Sequence, residues 1–277
     1  MSESIYHRKT VDELTFTDDG MFQAVLREPE ICAELIERLL HLKVKTVEYP
    51  ELEKTIAPYY STKGVRLDVY LKDDDKIIDI EIQSYPQEAL GKRTRYYQSM
   101  IDMDSLMKGQ DYPELKDSYI LFICKEDPFK DDDDKPFGLP CYSFRNICEE
   151  NASVKLNDKS IKVIYNSSAY EKEEDERIRN LLHFISTNEP GRDDFSNRLS
   201  SLVEKIKDDE EFRSDYAAMN LHDRDIQRAA RREENLQKAI EDAVIAVKEF
   251  KVSPQLAAEK MNAPLDKVLE KLKASNK

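Results

Sequence analysis

Two short alternating runs separated by five charged residues constrain this chain more than any other feature. Val65, Leu67, Val69 and Leu71 alternate with Arg66, Asp68 and Tyr70, and after KDDDK the residues Ile78, Ile80 and Ile82 alternate with Asp79, Glu81 and Gln83. Successive side chains on a strand point to opposite faces, so the two runs read as a hairpin with one greasy and one polar face. If the chain turns so that Lys72 faces Ile77 across loop 73–76, Asp68 falls opposite Glu81 and Arg66 opposite Gln83, with every aliphatic residue on the other face. A slip of one residue would bury Glu81 with Leu67.

In that register two carboxylates have Cβ atoms roughly 4.5 to 5.5 Å apart, and like charges directly opposite destabilise a sheet. Something positive is expected between them. Mg²⁺ takes oxygen ligands, keeps several waters and is commonly held by one or two carboxylates together with substrate phosphate oxygens. Asp68 and Glu81 offer that geometry, and the carbonyl of Ile82 could add a further oxygen. The bland alternative is a half-exposed sheet whose polar face is neutralised by Arg66 and Lys72.

The surroundings of the hairpin read as an α/β protein. The segment after Thr17 to Asp19 has apolar residues at helical spacing (Met21, Val25, Leu35, Leu39, Leu42) interrupted by Pro29, which predicts two helical pieces. A short strand is expected over Val44 to Tyr49, then a polar stretch from 50 to 64. A helix follows from about Gln87 to Lys108, bounded by Gly109, and YILFIC at 119–124 reads as a buried strand. EDPFKDDDDKPFGLP is a loop, and strands around CYSF and IKVIYN complete a helix-flanked mixed sheet near residue 166. Three regions are expected: a core from 1 to 168, a charged helical region from 169 to 236, and a small helical tail from 237 to 277. In the tail, breaks at Val252-Ser253-Pro254 and Asn262-Ala263-Pro264 separate short amphipathic helices, at a spacing that admits a helix-turn-helix or plain packing units.

The formal charge of -14 counts against nucleic acid as a partner unless basic residues are locally concentrated. On the helix after the hairpin the most basic run is Lys92, Arg93 and Arg95. No stretch approaches the roughly 18 apolar residues that would span a bilayer, and MSESIYHRKT has no apolar leader core, so a soluble cytoplasmic chain without a membrane partner is expected. Cys32, Cys124, Cys141 and Cys148 lack metal-binding spacing and read as reduced thiols. The four histidines are scattered and point to no zinc site.

R-L-D-V-Y-L followed by I-I-D-I-E-I-Q, then K-R-T-R-Y-Y-Q-S-M-I-D and K-G-x-x-Y-x-x-L-K-x-S-Y-I-L-F-I-C, resembles the PD-(D/E)XK nuclease family transposases, the group that includes the recombination-promoting nucleases. The resemblance covers about residues 17 to 165. It implies a restriction-endonuclease-like core, a mixed central sheet flanked by helices, and Asp68 and Glu81 as metal ligands. Gln83 then stands where the motif usually has lysine, and Leu67 where the motif name has proline. An amide can orient water or phosphate but supplies no positive charge. Arg93 could supply it, or could be a surface residue; helix geometry places it with Tyr96 and Met100, with Tyr97 turned elsewhere. The helix before the sheet often carries another acidic ligand in such enzymes, and Asp19, Glu34 and Glu37 are the candidates.

These readings lead to an expected Mg²⁺-dependent DNA endonuclease, with Mn²⁺ a plausible substitute. Asp68, Glu81, Gln83 and Arg93 form its catalytic set, and DNA mobility or recombination is its implied service. A rival expectation is a nuclease-fold protein that binds DNA or protein without catalysis, and RNA as substrate is a third. Cleavage of both strands by one active site would call for a homodimer, with the helices from 171 to 250 as its face.

Overall fold

The computed structural model describes residues 9–43, 51–56, 65–72, 75–85 and 88–274. The expected helical pieces are α1, Asp19–Leu26, and α2, Pro29–Leu40. Pro29 opens α2 at a position whose N–H would have no helical acceptor, so the residue that breaks one helix begins the next. Both helices turn apolar faces inward, burying Met21, Phe22, Val25, Leu26, Ile31, Leu35, Ile36 and Leu39.

The sheet has six strands: β1 (Glu51–Ile56), β2 (Val65–Lys72), β3 (Lys76–Gln83), β4 (Asp117–Cys124), β5 (Cys141–Phe144) and β6 (Ser160–Asn166). Their order is β1-β2-β3-β4-β6-β5. β1, β2 and β3 run antiparallel in sequence, β3, β4 and β6 run parallel, and β5 returns antiparallel along β6. This is a mixed sheet with flanking helices, as the sequence implied. The strand expected at Val44 to Tyr49 lies outside the described residues. β1 instead falls in the stretch read as a polar connection, because ELEKTI has few apolar residues and its pairing with β2 carries the signal.

α3, Leu90–Ser105, crosses from β3 to the parallel strand β4. It covers one face of the sheet: Leu90, Tyr97, Met100 and Ile101 cluster with Leu67, Tyr70, Ile77, Ile120, Phe122 and Ile164. Here the bland alternative of a half-exposed sheet fails. β3 is flanked by strands on both edges and covered on both faces, so Asp79 and Glu81 are as buried as Ile80. A strand paired in parallel is typically buried on both faces, and the acidic alternation hid that.

α4, Glu176–Thr187, and α5, Asp194–Lys207, are charged outside but bury Ile178, Leu181, Phe184, Phe195 and Leu199. They pack on α1 and α2, and Arg38 fastens the joint. Its guanidinium, with 5 % of the side chain exposed, bonds Glu34 and Asp193, donates to the Arg177 carbonyl at 3.0 Å and lies over the Phe195 ring.

The chain divides into two compact units, 1–212 and 213–277. In the second, the end of α6 (Glu210–Phe250) packs with α7 (Pro254–Lys260) and α8 (Leu265–Ala274) around Ile240, Ala243, Val244, Ala257, Ala258 and Val268. No helix among the described residues is long and apolar enough to cross a membrane.

Candidate active site

The β2–β3 register is the one parity demands. Lys72 pairs with Ile77 and the ladder runs to Val69 opposite Ile80, so the next pair along is Asp68 and Glu81. At that pair the carboxylates take over backbone contacts. The Asp68 amide donates to Glu81 Oε1 at 2.9 Å, and the Ile82 amide donates to Asp68 Oδ2 at 3.2 Å. Each carboxylate is thereby fixed to the strand that carries the other. Asp68 is 8 % exposed and Glu81 is fully buried.

The cation expected between like charges comes from α3. The chain leaves β3 at Gln83 and enters α3 through Ala89, whose φ of 58° is left-handed. Leu90, Thr94, Tyr97 and Ile101 form the stripe that α3 turns to the sheet, and this orients Arg93 one turn before Tyr97. The Arg93 guanidinium then makes three contacts: to Glu81 Oε2 at 3.1 Å, to Gln83 Oε1 at 3.1 Å and to the Tyr97 hydroxyl at 2.8 Å. It also lies over the rings of Tyr97 and Phe122. The sequence reading had paired Arg93 with Tyr96; the structure reverses the two tyrosines. Tyr97 is buried and Tyr96 is 37 % exposed, because the sheet lies on the i+4 side of Arg93. Lys72 is exposed and is no counter-ion to the carboxylates.

Gln83 lies on the same face of β3 as Glu81. Its Oε1 accepts from Arg93 while its Nε2 donates to the Ile82 carbonyl at 2.7 Å, so the backbone oxygen considered as a metal ligand carries an amide bond here. The carbonyl of Gln83 itself accepts from the Lys125 amide, tying the site to the end of β4.

Burial pushes the Glu81 carboxyl up to about 8, with the charge of Asp68 adding to the rise and Asp19 contributing a little. The Asp68 amide and the Arg93 guanidinium pull it the other way. Two residues along β3, Asp79 is completely buried, and neither of its carboxyl oxygens has a hydrogen-bond partner among the described residues. Burial, then Glu81 and Asp68, hold it well above the ordinary carboxylate range. Sequence reasoning passed over Asp79 and Tyr97. Parity alone could have found Asp79, since it shares a face with Glu81, and the i+4 step from Arg93 could have found Tyr97.

The three acids considered on the preceding helices have different surroundings. Asp19 is the one whose charge acts on Glu81, at the start of α1, where the Ser84 hydroxyl bonds the Thr17 carbonyl at 2.5 Å and so joins this turn to the end of β3. Glu34 is held by Arg38 at 2.6 Å and by Arg198, in the joint between α2 and α5. Glu37 is half-buried on α2. Among the described residues no group of three or more His, Cys, Asp or Glu is arranged to hold a metal ion. The carboxylates of Asp68 and Glu81, with backbone oxygen beside them, suit a hard cation completing its shell with water and phosphate. The four cysteines are free, Cys32 and Cys124 buried and the others half-buried.

A model of the family described as PD-(D/E)XK nuclease family transposase matches residues 21–247, a span that includes the whole sheet, the candidate site and most of α6. No curated protein matches the chain significantly, nor does any solved structure. PD-(D/E)XK nucleases generally use divalent metals, and the family points to a nuclease or transposase-related function with DNA as the implied substrate. With its mixed sheet, its paired carboxylates and the extent of that match, the chain belongs to the PD-(D/E)XK nuclease family transposases.

Proposed function

We propose that the protein is a divalent-metal-dependent endonuclease that hydrolyses DNA phosphodiesters, in the service of DNA mobility or recombination. The observation that carries this reading is the convergence of Asp68 and Glu81 on one buried spot with Arg93 beside them. Asp68 and Glu81 would hold Mg²⁺, or Mn²⁺ in its place, with the Ile82 carbonyl as a further oxygen once Gln83 releases it. A cation bound there polarises a phosphate oxygen and lowers the pKa of a water. Asp19 is the acid placed to join the pair from α1.

Arg93 takes the part that lysine has in the motif name. Its planar fork meets a carboxylate, an amide and a phenol at once, and a phosphate oxygen can replace any of these as acceptor. It thereby places positive charge where a phosphorane would gain negative charge. Gln83, neutral and bonded to Arg93, orients that guanidinium and can hydrogen-bond the attacking water. The test is incubation of the purified chain with plasmid DNA and Mg²⁺, Mn²⁺ or EDTA, with Glu81→Ala alongside. Nicking or linearisation that needs metal and Glu81 is expected; cutting that survives Glu81→Ala in a folded variant would sink the site.

One observation favours a second reading. Arg93 already pairs with Glu81, and Gln83 brings no charge, so the site can stand as a structural knot in a protein that binds DNA or another protein without cutting. Calorimetric titration with Mg²⁺ and Mn²⁺ separates the two, since a knot takes up no metal even with DNA present.

A further inference from the structure

α3 opens with a dense run of cations in an acidic protein. Lys92, Arg93 and Arg95 lie within one turn, and from 89 to 101 the chain has no Asp or Glu, although acids outnumber Lys and Arg by 57 to 43 overall. The structure divides these cations by direction. Arg93 turns in to Glu81 and Gln83, whereas Lys92, Arg95, Tyr96 and Ser99 are exposed and fall at i, i+3, i+4 and i+7, a single stripe on the outer side. At the head of the stripe Gly91 is exposed, and a Cβ there would meet nothing within 4 Å, so a ligand backbone can come close. Nearby acids are few: Glu88 precedes the helix, Asp102 is bonded to Gln98, and Asp104 pairs with Lys54.

A solvated helix face usually mixes the two signs, with acids and bases spaced to pair along the helix. From Lys92 to Ser99 this face carries cations alone, and Arg93 turns inward to the site from the same turn of the helix. We propose that the outer stripe of α3 is the surface on which duplex DNA lies, Lys92 and Arg95 contacting phosphates that flank the one presented to Asp68 and Glu81. Tyr96, between them, adds a hydroxyl and a ring edge to the same track. The proposal rests on the nuclease reading for the identity of the polyanion, and charge complementarity and continuity with the site carry the rest. It offers a way for a chain of net charge -14 to engage DNA: attraction acts at this helix face, and acidic surface elsewhere disfavours other orientations of the duplex.

The test is binding of a labelled duplex to the full chain over a series of salt concentrations, made in a Glu81→Gln background so that the DNA stays intact. Lys92→Gln with Arg95→Gln should lower the slope of log affinity against log salt by about 1.8, since each phosphate contact contributes about 0.9. Lys205→Gln with Lys238→Gln removes the same charge from exposed positions elsewhere and should leave the slope alone. With Glu81 present, the α3 double variant should lose cleavage chiefly through a higher KM. A double variant that is folded, by its melting curve, yet keeps the parental slope overturns the docking surface while plasmid cleavage by the unaltered chain leaves the nuclease standing. The expected drop in slope without any cleavage does the reverse. A duplex RNA bound through the same residues more tightly than DNA overturns the assignment of the partner.

Discussion

Asp68 and Glu81 hold one another through the backbone: the Asp68 amide donates to Glu81 Oε1 at 2.9 Å, and the Asp68 carboxylate takes the Ile82 amide beside Glu81 at 3.2 Å. Neither contact needs a negative charge on Glu81, only an oxygen. Glu81→Gln keeps the oxygen that accepts from Asp68 but faces Arg93 with an amide N–H in place of Oε2, so it should fold at reduced stability and lose metal binding. Mn²⁺ at about a hundred times its Kd stabilises a folded protein that binds it by about 2.7 kcal/mol. A melting temperature that rises with Mn²⁺ in the parent and stays fixed in Glu81→Gln is the expected result.

The raised carboxyl of Glu81 makes stability depend on pH in a definite direction. Its ordinary value of 4.5 is lifted to about 8 in the fold, so the protonated form is favoured there. The stability it confers is complete below about 4.5 and is lost as pH climbs to about 8. Without metal, the midpoint of urea unfolding should fall between pH 5 and pH 8.5. Added Mn²⁺ should reverse that trend, because a cation competes with the proton and binds more tightly as pH rises.

Asp79 should be dispensable for the fold. Both its oxygens are buried without a hydrogen-bond partner among the described residues, and burial, then the charges of Glu81 and Asp68, hold its carboxyl well above the ordinary carboxylate range. Asp79→Asn removes the ionisable group at nearly constant volume. It should match the parent near pH 5 and exceed it in stability at pH 9 by about 1–3 kcal/mol. A variant less stable than the parent at pH 9 would show that Asp79 has a partner of its own.

Arg93→Lys should separate positioning from charge. Lysine keeps the positive charge but cannot meet Glu81, Gln83 and Tyr97 together as the fork does. A fall in kcat of about 10²- to 10³-fold is expected, the size seen when one donor to a developing oxyanion is removed. Tyr97→Phe frees only Nε and should cost less.

Glu34→Gln tests which acid belongs to the site. Glu34 holds Arg38 and Arg198 in the joint of α2 with α5, so its loss should lower stability by about 1–3 kcal/mol and leave Mn²⁺ affinity as it was. Asp19→Asn should do the opposite, because Asp19 is the acid that acts on Glu81.

The residues that could be read from sequence are those whose position follows from parity. Alternation on two neighbouring runs fixed the register of β2 with β3, and with it the meeting of Asp68 and Glu81. The family motif then accounted for the fold class. What alternation cannot report is what lies above a face. Acidic residues at every second position are as compatible with a half-exposed sheet as with an enclosed site; α3 and the flanking strands enclose them, and the depth of Glu81 follows from that cover. The placing of Arg93 with Tyr96 rather than Tyr97 fails for a related reason. Both are helical neighbours of Arg93, and only the side on which Phe122 lies decides between them. β1 was missed because its partner strand, rather than its own composition, keeps it extended.

The two amides held by the carboxylates have a use as natural gauges of occupancy. Any ligand that draws Asp68 Oδ2 or Glu81 Oε1 toward itself must slacken the grip on the hydrogens of Ile82 and Asp68. Those two hydrogens would then exchange with solvent deuterium at a pace set by how full the site is, while the neighbouring pair Val69 and Ile80, held in the ladder, keeps its own slow clock. The seam between β2 and β3 thus carries a readout of loading that is independent of any cut made in DNA.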